Sequence, residues 1–293
     1  MTTGPASDAA LLTAPVGLRP VRGFRSRWYR TPSFVLGLAI LGTLFALVLA
    51  APLLTSHDPT QQDIADRLAQ PSAEHPLGTD KFGRDVWSRL LYGGRLDLFI
   101  GFTAILVPFI VGTILGLIAG YFGRATETAI MRSVDVVQAF PFYVLLIALV
   151  FALGTGALGI YVAMALVAWV SYARIIRAEV ATAKRQEYVL AARAAGFSDA
   201  RILGRHILPN VITQAIVYAM SDIVVIILGI VTLSYLGLGF PPPTPDWGAM
   251  IFDGQTYLTT HPLQATIPGL AVVVTGIGLS LIGDGLADLL RPE

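Results

Sequence analysis

The stretch VVQAFPFYVLLIALVFALGTGALGIYVAMALVAWVSYA, running from Val136 to Ala173, holds 38 residues without an Asp, Glu, Lys or Arg. As one helix it would be about 57 Å long, nearly twice the roughly 30 Å of a bilayer's hydrocarbon core. It has to be two helices, and Gly154-Thr155-Gly156 is where two glycines free the backbone to turn between them. Four other charge-poor stretches are long enough to cross a membrane: Thr31 to about Leu54, Leu98 to Tyr121, Val211 to Tyr235 and Pro268 to Leu286. The expectation is an all-α polytopic membrane protein with six transmembrane helices.

The composition agrees. Of 293 residues, 55% are hydrophobic and 13% charged, against about 25% charged in soluble domains, which excludes an ordinary soluble globule. A net charge of +1 gives no overall field to attract nucleic acid. The absence of cysteine excludes disulfides, thiolate metal sites and cysteine nucleophiles. What carries information is how the charges are distributed. Fifteen of the twenty basic residues fall in one alternating set of segments: five arginines from Arg19 to Arg30, then Arg124 and Arg132, seven residues from Arg174 to Arg205, and Arg291. The other five lie between Arg67 and Arg95, and the 237–267 loop has none. By the positive-inside rule both termini are expected in the cytoplasm. The first thirty residues lack the apolar core of a cleavable signal and read as a basic arm. The expected organisation is an arm over 1–30, a first helix with an extracytoplasmic amphipathic segment over 31–97, and a five-helix core over 98–290.

Within the second span, Gly112, Gly116 and Gly120 share one helix face and permit close approach, either to another helix of this chain or to a partner subunit. Pro108 in the same span is expected to kink it. Asp222 is the acid well inside a span. It has to face the bundle interior, water or a donor, as part of a translocation pathway or as a structural hydrogen-bond acceptor. Phe82, Val86 and Leu90 share a helical face with Arg84, Asp85 and Arg89 elsewhere, which suits an interfacial helix.

Between the fourth and fifth spans, Glu187 to Asn210 reads EYVLAARAAGFSDARILGRHILPN, too charged to cross a membrane and strongly patterned. Val189, Ala192 and Ala195 share a face before Gly196, and Ile202, Leu203 and Ile207 cluster after it. The reading is a two-helix elbow, with Gly196 as hinge, Ser198 as N-cap of the second piece and Pro209 as its terminator. On physics alone it is a basic amphipathic element lying on anionic lipid or a docking element for a cytoplasmic partner.

This segment resembles the loop shared by permease subunits of bacterial ABC importers: Glu-Ala-Ala, a glycine four residues after the second alanine, and Leu-Pro ending thirteen after that glycine. The matching positions are Leu190, Ala191, Ala192, Gly196, Leu208 and Pro209. Leu190 replaces the family's acid, and Glu187 lies nearly one turn upstream. His206 occupies a place where the peptide-permease branch usually has histidine. The resemblance also places Asp199 and Arg205 in the ATPase-coupling element. Further blocks are similar to the C-type subunit of dipeptide, oligopeptide and nickel importers: His75 to Asp80 with Gly83-Arg84-Asp85, Ser88-Arg89-Leu90 and Tyr92-Gly93; Leu233 to Gly239; Pro243 to Gly248; and Gly283 to Leu286. Relatives often carry a glutamate at the position of Ile230.

The resemblance implies a type I ABC importer permease fold in the bacterial cytoplasmic (inner) membrane, with 187–210 as the coupling loop. It implies a second, B-type permease subunit, two cytoplasmic ABC ATPase domains, an extracytoplasmic substrate-binding protein and surrounding lipid as partners, and no nucleic acid. No cofactor is expected in this chain, because ATP and Mg would be held by the ATPase partners. The chain's own lysines support that. A phosphate loop needs G-x-x-x-x-G-K-[ST], whereas Lys81 follows Asp80 and Lys184 follows Ala183. No catalytic or metal-binding residue is expected. His57, His75, His206 and His261 all lie outside the spans, which leaves an intramembrane hydrolase without a buried base or metal pair. A secondary transporter would leave the elbow unexplained. Peptide is the expected substrate, with glutathione, other modified peptides and nickel chelates as alternatives.

Overall fold

The computed structural model describes residues 31–290. The basic arm expected over 1–30 and Arg291 lie outside the described residues. Thirteen α-helices and no named strand are found among the described residues. Helix α1 (Pro32–Leu49) starts with proline in its first turn, where the missing N–H has no helical partner to lose. A short α2 (Ala51–Leu54) follows. Helices α3 (Val86–Ala104) and α4 (Leu106–Phe122) run nearly end to end as 37 residues, broken at Ile105. Pro108 accounts for the break, since it has no N–H for the carbonyl of Ala104.

The charge-free stretch is divided as its length requires. Helix α6 (Phe142–Leu153) ends at Gly154 and α7 (Ala157–Val167) starts after Gly156, with φ of 101° and 93° at the two glycines. α8 (Trp169–Ala183) continues α7 as a 27-residue apolar run. The third span does not run as one helix from Val136. The charged α5 (Arg124–Gln138) meets α6 at an angle of 86°, and α6 alone has only 12 residues, about 18 Å. Pro141 at the junction has no N–H to continue the helix and disfavours helical backbone at Phe140. Five helices or helix pairs are long and apolar enough to cross a membrane, and the bent pair makes a sixth.

Helix α11 (Leu208–Tyr235) is central and packs against α3, α8, α12 (Trp247–Gln255) and α13 (Leu263–Leu290). Its Ile226, Ile227 and Ile230 lie fully buried with Leu146, Ile160, Met164, Tyr172 and Ile176. Ile230 is thus a packing residue in this chain. Large side chains on the outside, among them Leu36, Phe99, Ile114, Val144 and Phe151, are exposed and apolar, as a surface facing lipid or another subunit requires.

The amphipathic helix expected around Phe82 is not formed. Residues 78–85 make tight turns, with φ of 75° at both Gly78 and Gly83, and helix starts only at Val86. The burial also differs: Asp80, Arg84, Asp85 and Arg89 are buried along with Val86, while Phe82 is exposed. The charges can turn inward because each meets an opposite charge or a hydrogen-bond partner there.

Candidate functional site

Helix α9 (Glu187–Ala194) forms the first arm of the elbow. Its Val189 and Ala192 are buried, while Glu187, Tyr188, Leu190, Ala191 and Arg193 are exposed. Ala195, expected on the buried face, is exposed, because the helix ends at Ala194 and the backbone turns away there. Gly196 follows with φ of 77°. The amide of Phe197 then donates to Ala192 O at 3.2 Å and that of Gly196 to Arg193 O at 2.9 Å, which satisfies two of the last carbonyls. Gly196 is exposed, so its positive φ accounts for glycine there rather than crowding.

The second arm begins with α10 (Asp199–Arg201), to which Ser198 is the N-cap residue by position but with no side-chain capping bond. The chain then winds as a π-helix from Ile202 to Ile207, with those two isoleucines fully buried. Pro209 does not terminate anything: it lies in the first turn of α11, and 199–235 is one continuous helical run. A proline in a straight α-helix would meet the carbonyl four residues back. The wider π turn just before it opens that turn. Asn210 closes the turn by donating from Nδ2 to His206 O at 2.6 Å. Leu208 and His206 are half-buried, and Arg205 is exposed.

Contacts that the sequence did not indicate hold the elbow to the bundle and brace it internally. The Tyr121 hydroxyl at the end of α4 donates to Asp199 Oδ1 at 2.5 Å, and the Arg193 guanidinium lies over the Tyr121 ring, 5.0 Å from its centroid. Phe197 is sandwiched, with His206 stacked on its ring at 5.7 Å and Arg201 over it at 4.2 Å. Lys184 Nζ donates to Gly120 O at 2.6 Å. The available signals were an aromatic residue at the last turn of an apolar span and one beside the hinge glycine. Neither names its partner.

The three glycines of α4 lie against the backbone of α8. A Cβ on Gly112 would meet Trp169 O at 2.4 Å, on Gly116 Ala173 O at 2.7 Å, and on Gly120 Val180 Cβ at 2.7 Å. A second seam went unnoticed in the sequence. Gly37 of α1 faces Gly278 O at 2.7 Å, and Gly285 faces Phe34. Asp222 is 7% exposed and accepts from the Tyr172 hydroxyl of α8 at 2.8 Å, with Tyr218 packed edge-on against Tyr172.

The other end of α11, 28 residues or about 42 Å away, is a buried polar knot. Arg84 Nε donates to Asp80 Oδ2 at 2.6 Å and its NH2 to Asp253 Oδ2 at 3.1 Å, while Lys81 pairs with Asp253 at 2.9 Å. Arg89 donates to Pro59 O at 2.9 Å and Pro243 O at 3.2 Å and lies 3.6 Å from Asp80. Asp85 caps α3, its Oδ2 accepting from Ser88 N at 2.7 Å, and Asp246 caps α12 through Ala249 N at 2.8 Å. Asp97 Oδ2 accepts from Trp247 N at 2.8 Å, and Trp247 Nε1 donates to Leu90 O. Burial pushes the Asp246 carboxyl above the usual carboxylate range, against the Ala249 amide and Arg89, which favour the charged form. This end is a structural clasp drawn from four segments, and the loop end is an exposed surface on a rigid support.

Comparison with known proteins gives consistent matches along the chain. Residues 112–293 match the family model described as the binding-protein-dependent transport system inner membrane component. Residues 20–71 match the N-terminal TM domain of oligopeptide transport permease C. The chain is 39% identical over 259 residues to the dipeptide transport system permease protein DppC of Alkalihalophilus pseudofirmus, covering 88% of this chain and 85% of the relative. It is 35% identical over 259 residues to the oligopeptide permease OppC of Bacillus subtilis, with the same coverage. Against the nickel permease NikC of Escherichia coli it is 37% identical over 268 residues, 92% of this chain and 95% of the relative. Among solved structures, the inward-facing MetNI methionine ABC transporter superposes with a TM-score of 0.54 at 17% identity, over 69% of this chain and 97% of that one, a likeness of fold.

Proposed function

The chain belongs to the family of binding-protein-dependent transport system inner membrane components, and we propose that it forms half of the translocation pathway of an ATP-driven peptide importer, moved by ATPase subunits that dock on the 187–210 loop. The observation that carries this reading is the elbow itself. An exposed surface of Tyr188, Leu190 and Ala191, edged by Arg193, Arg201 and Arg205, sits on an anchor of buried Val189, Ala192, Ile202 and Ile207 and continues without a break into α11. A surface lying on lipid needs no such rigid connection to a core helix. A lever does, because a transmitted conformational change requires differential contact coupled to a packed element with two positions.

Leu190, 51% exposed, replaces an acid of the family pattern, so its contact with the ATPase is apolar, and Glu187 one turn back supplies the charge. Gly196, Asp199 and His206 shape the elbow, and Leu208 and Pro209 join it to α11. Asp222 takes the role of a joint between α11 and α8 rather than that of an open pathway residue, since its bond to Tyr172 closes it off in this conformation. Peptide is the proposed substrate, supported by relatives named for dipeptide and oligopeptide transport. The proposed partners are a B-type permease, two ATPase domains holding ATP and Mg, and an extracytoplasmic binding protein. The proposed site is the bacterial inner membrane, with both termini, the arm over 1–30 and the loop in the cytoplasm, and with the segment of 31–97 that follows the first transmembrane helix outside.

The test is association and uptake. Gly196→Pro with Leu208→Asp demands a negative φ where the chain has 77° and puts a charge at a half-buried apolar position. Leu190→Arg changes only an exposed contact and should melt like the unaltered protein. Both are expected to lose co-purification with the ATPase and ATP-dependent uptake into proteoliposomes. Retention of both by Leu190→Arg and by the double variant would overturn docking, and uptake without ATP would indicate a secondary transporter.

A further inference from the structure

We propose that His57, His75 and Asp85, at the clasp end of the molecule, form a binding site for a borderline divalent transition-metal ion of the zinc, nickel and cobalt class. Each residue offers one ligand atom, and the three atoms lie within 4.8 Å of one another. Nitrogen and oxygen ligands at about 2.0–2.2 Å from a tetrahedral ion sit roughly 3.4 Å apart. Closing the set therefore takes at most about 1.4 Å of side-chain movement, which the half-buried His57 is free to make.

The site is held from a common anchor. Ser88 N and Oγ both donate to Asp85 Oδ2, each at 2.7 Å, which commits that oxygen and leaves Oδ1 facing His75 Nδ1 at 2.9 Å. The same Ser88 hydroxyl lies 2.5 Å from Thr55 Oγ1, which in turn accepts from the backbone amide of His57 at 3.1 Å. His57 is thus brought to the site by the hydroxyl that also positions Asp85. The two imidazoles face one another, with ring centroids 4.8 Å apart and planes inclined by 40°. The bond from His75 to Asp85 is complete as an extension of the helix cap and needs no ion. His57 is not explained that way. Its ring nitrogens have no hydrogen-bond partner among the described residues, and its position against a second imidazole would be repulsive if both rings were protonated.

Two imidazoles and one carboxylate suit zinc, nickel or cobalt and not magnesium or calcium, which prefer oxygen alone. With three protein ligands, the remaining positions fall to water that enters on the side of the half-buried His57, so the ion exchanges with solvent. Bound there, it ties the segment after α2 to the loop before α3. The sequence offers no metal-ligand spacing for this set: the histidines are eighteen residues apart and become neighbours only through Thr55 and Ser88.

The experiment uses the full-length chain in lipid nanodiscs, its affinity tag removed, stripped with chelator and titrated with zinc, nickel or magnesium chloride by calorimetry. One zinc per chain is expected, with His57→Ala and His75→Ala each weakening it at least tenfold, His261→Ala leaving it unchanged, and magnesium giving no heat. Cobalt is expected to give visible absorption of tetrahedral intensity in the unaltered chain and none in His57→Ala. Unaltered melting of His57→Ala in the stripped state would show that the loss is one of ligand and not of fold. Absence of zinc binding, or equal affinity in the His57→Ala, His75→Ala double variant, would overturn the proposal.

Discussion

Replacing Gly116 by alanine adds one methyl group where there is no room for it. The new Cβ would lie 2.7 Å from Ala173 O and 2.8 Å from Ile176 Cβ, against about 3.5–4.0 Å for comfortable contact. Helix α8 then has to retreat by more than half an ångström, and because the seam continues through Gly112 and Gly120, the retreat opens neighbouring contacts as well. Overpacking of this kind costs about 1–3 kcal/mol. Alanine also gains about 0.5–1 kcal/mol over glycine in a helix interior, a benefit that can be subtracted by experiment. Gly42 in α1 and Gly269 in α13 have nothing within 4 Å of a built Cβ, so Gly42→Ala and Gly269→Ala receive the propensity gain alone. Reversible unfolding in mixed detergent micelles should therefore place Gly116→Ala about 1–3 kcal/mol below these controls, with Gly112→Ala at least as low. If Gly116→Ala were as stable as Gly269→Ala, the backbone contact between α4 and α8 would be refuted.

Other perturbations separate the remaining interactions. Asp222→Asn keeps an oxygen for the Tyr172 hydroxyl and should stay close to the unaltered protein, whereas Asp222→Leu strands that hydroxyl and should cost about 1–3 kcal/mol in the same assay; equal losses would contradict the bond. Arg84→Ala removes the partner of Asp80 and Asp253 in a buried setting and should cost about 3–5 kcal/mol, while Lys81→Ala, at a more exposed pair, should stay within about 1 kcal/mol; the reverse order would sink the clasp. Asp246 titrates above the usual carboxylate range because it is buried. Below about pH 4 both folded and unfolded chains hold its proton. As pH rises the unfolded carboxyl ionises first, so stability falls until pH passes the raised folded value and then levels. Asp246→Asn, which keeps an acceptor for Ala249 N, should remove that fall, and its advantage over the unaltered chain should grow as pH rises above about 4 and then level. A gap independent of pH would refute it.

What could be read from sequence was whatever depends on length and local chemistry. Val136–Ala173 had to be two helices because the bilayer is too thin for one, and Gly154 and Gly156 turn with positive φ as glycines allow. The 86° bend before α6 was within reach at Pro141, but a hydropathy window passes smoothly over a proline. Pro209 misled because proline both ends helices and opens them, and only the π turn before it decides which. The seam of Gly278 and Gly285 has a spacing of seven, which also repeats on one helix face, yet glycines at that spacing stand out less than a run at four. The clasp was illegible for a different reason. Helical periodicity sorts residues into faces but cannot say which face is inside when the partners of Arg84 and Arg89 are Asp253 and Pro243, more than 150 residues away.

The distribution of rigidity decides how a push on the elbow would travel on the proposed reading. At the clasp end α11 touches α12 backbone to backbone: a Cβ on Gly248 would meet Val231 O at 2.3 Å and Ser234 Cβ at 2.6 Å. That end has no slack and is fixed by Asp246, Asp97 and Trp247. The other end leads straight into the exposed elbow. A force applied there cannot slide α11 along its axis and has to tilt it about the clasp. Asp222 lies near the middle of α11, and its bond to Tyr172 obliges α8 to follow. Through Gly112, Gly116 and Gly120 α8 carries α4 with it, and α4 returns to the elbow through the bond from Tyr121 to Asp199. Helices α4, α8 and α11 with the elbow therefore form one closed body, hinged against a clasp that does not move. Breaking the bond at Asp222 would open that circuit at its centre without touching either end, so Asp222→Leu is expected to lower uptake while leaving ATPase association intact. Loss of association in that variant would show that the elbow is not the independently built docking surface its buried anchors indicate.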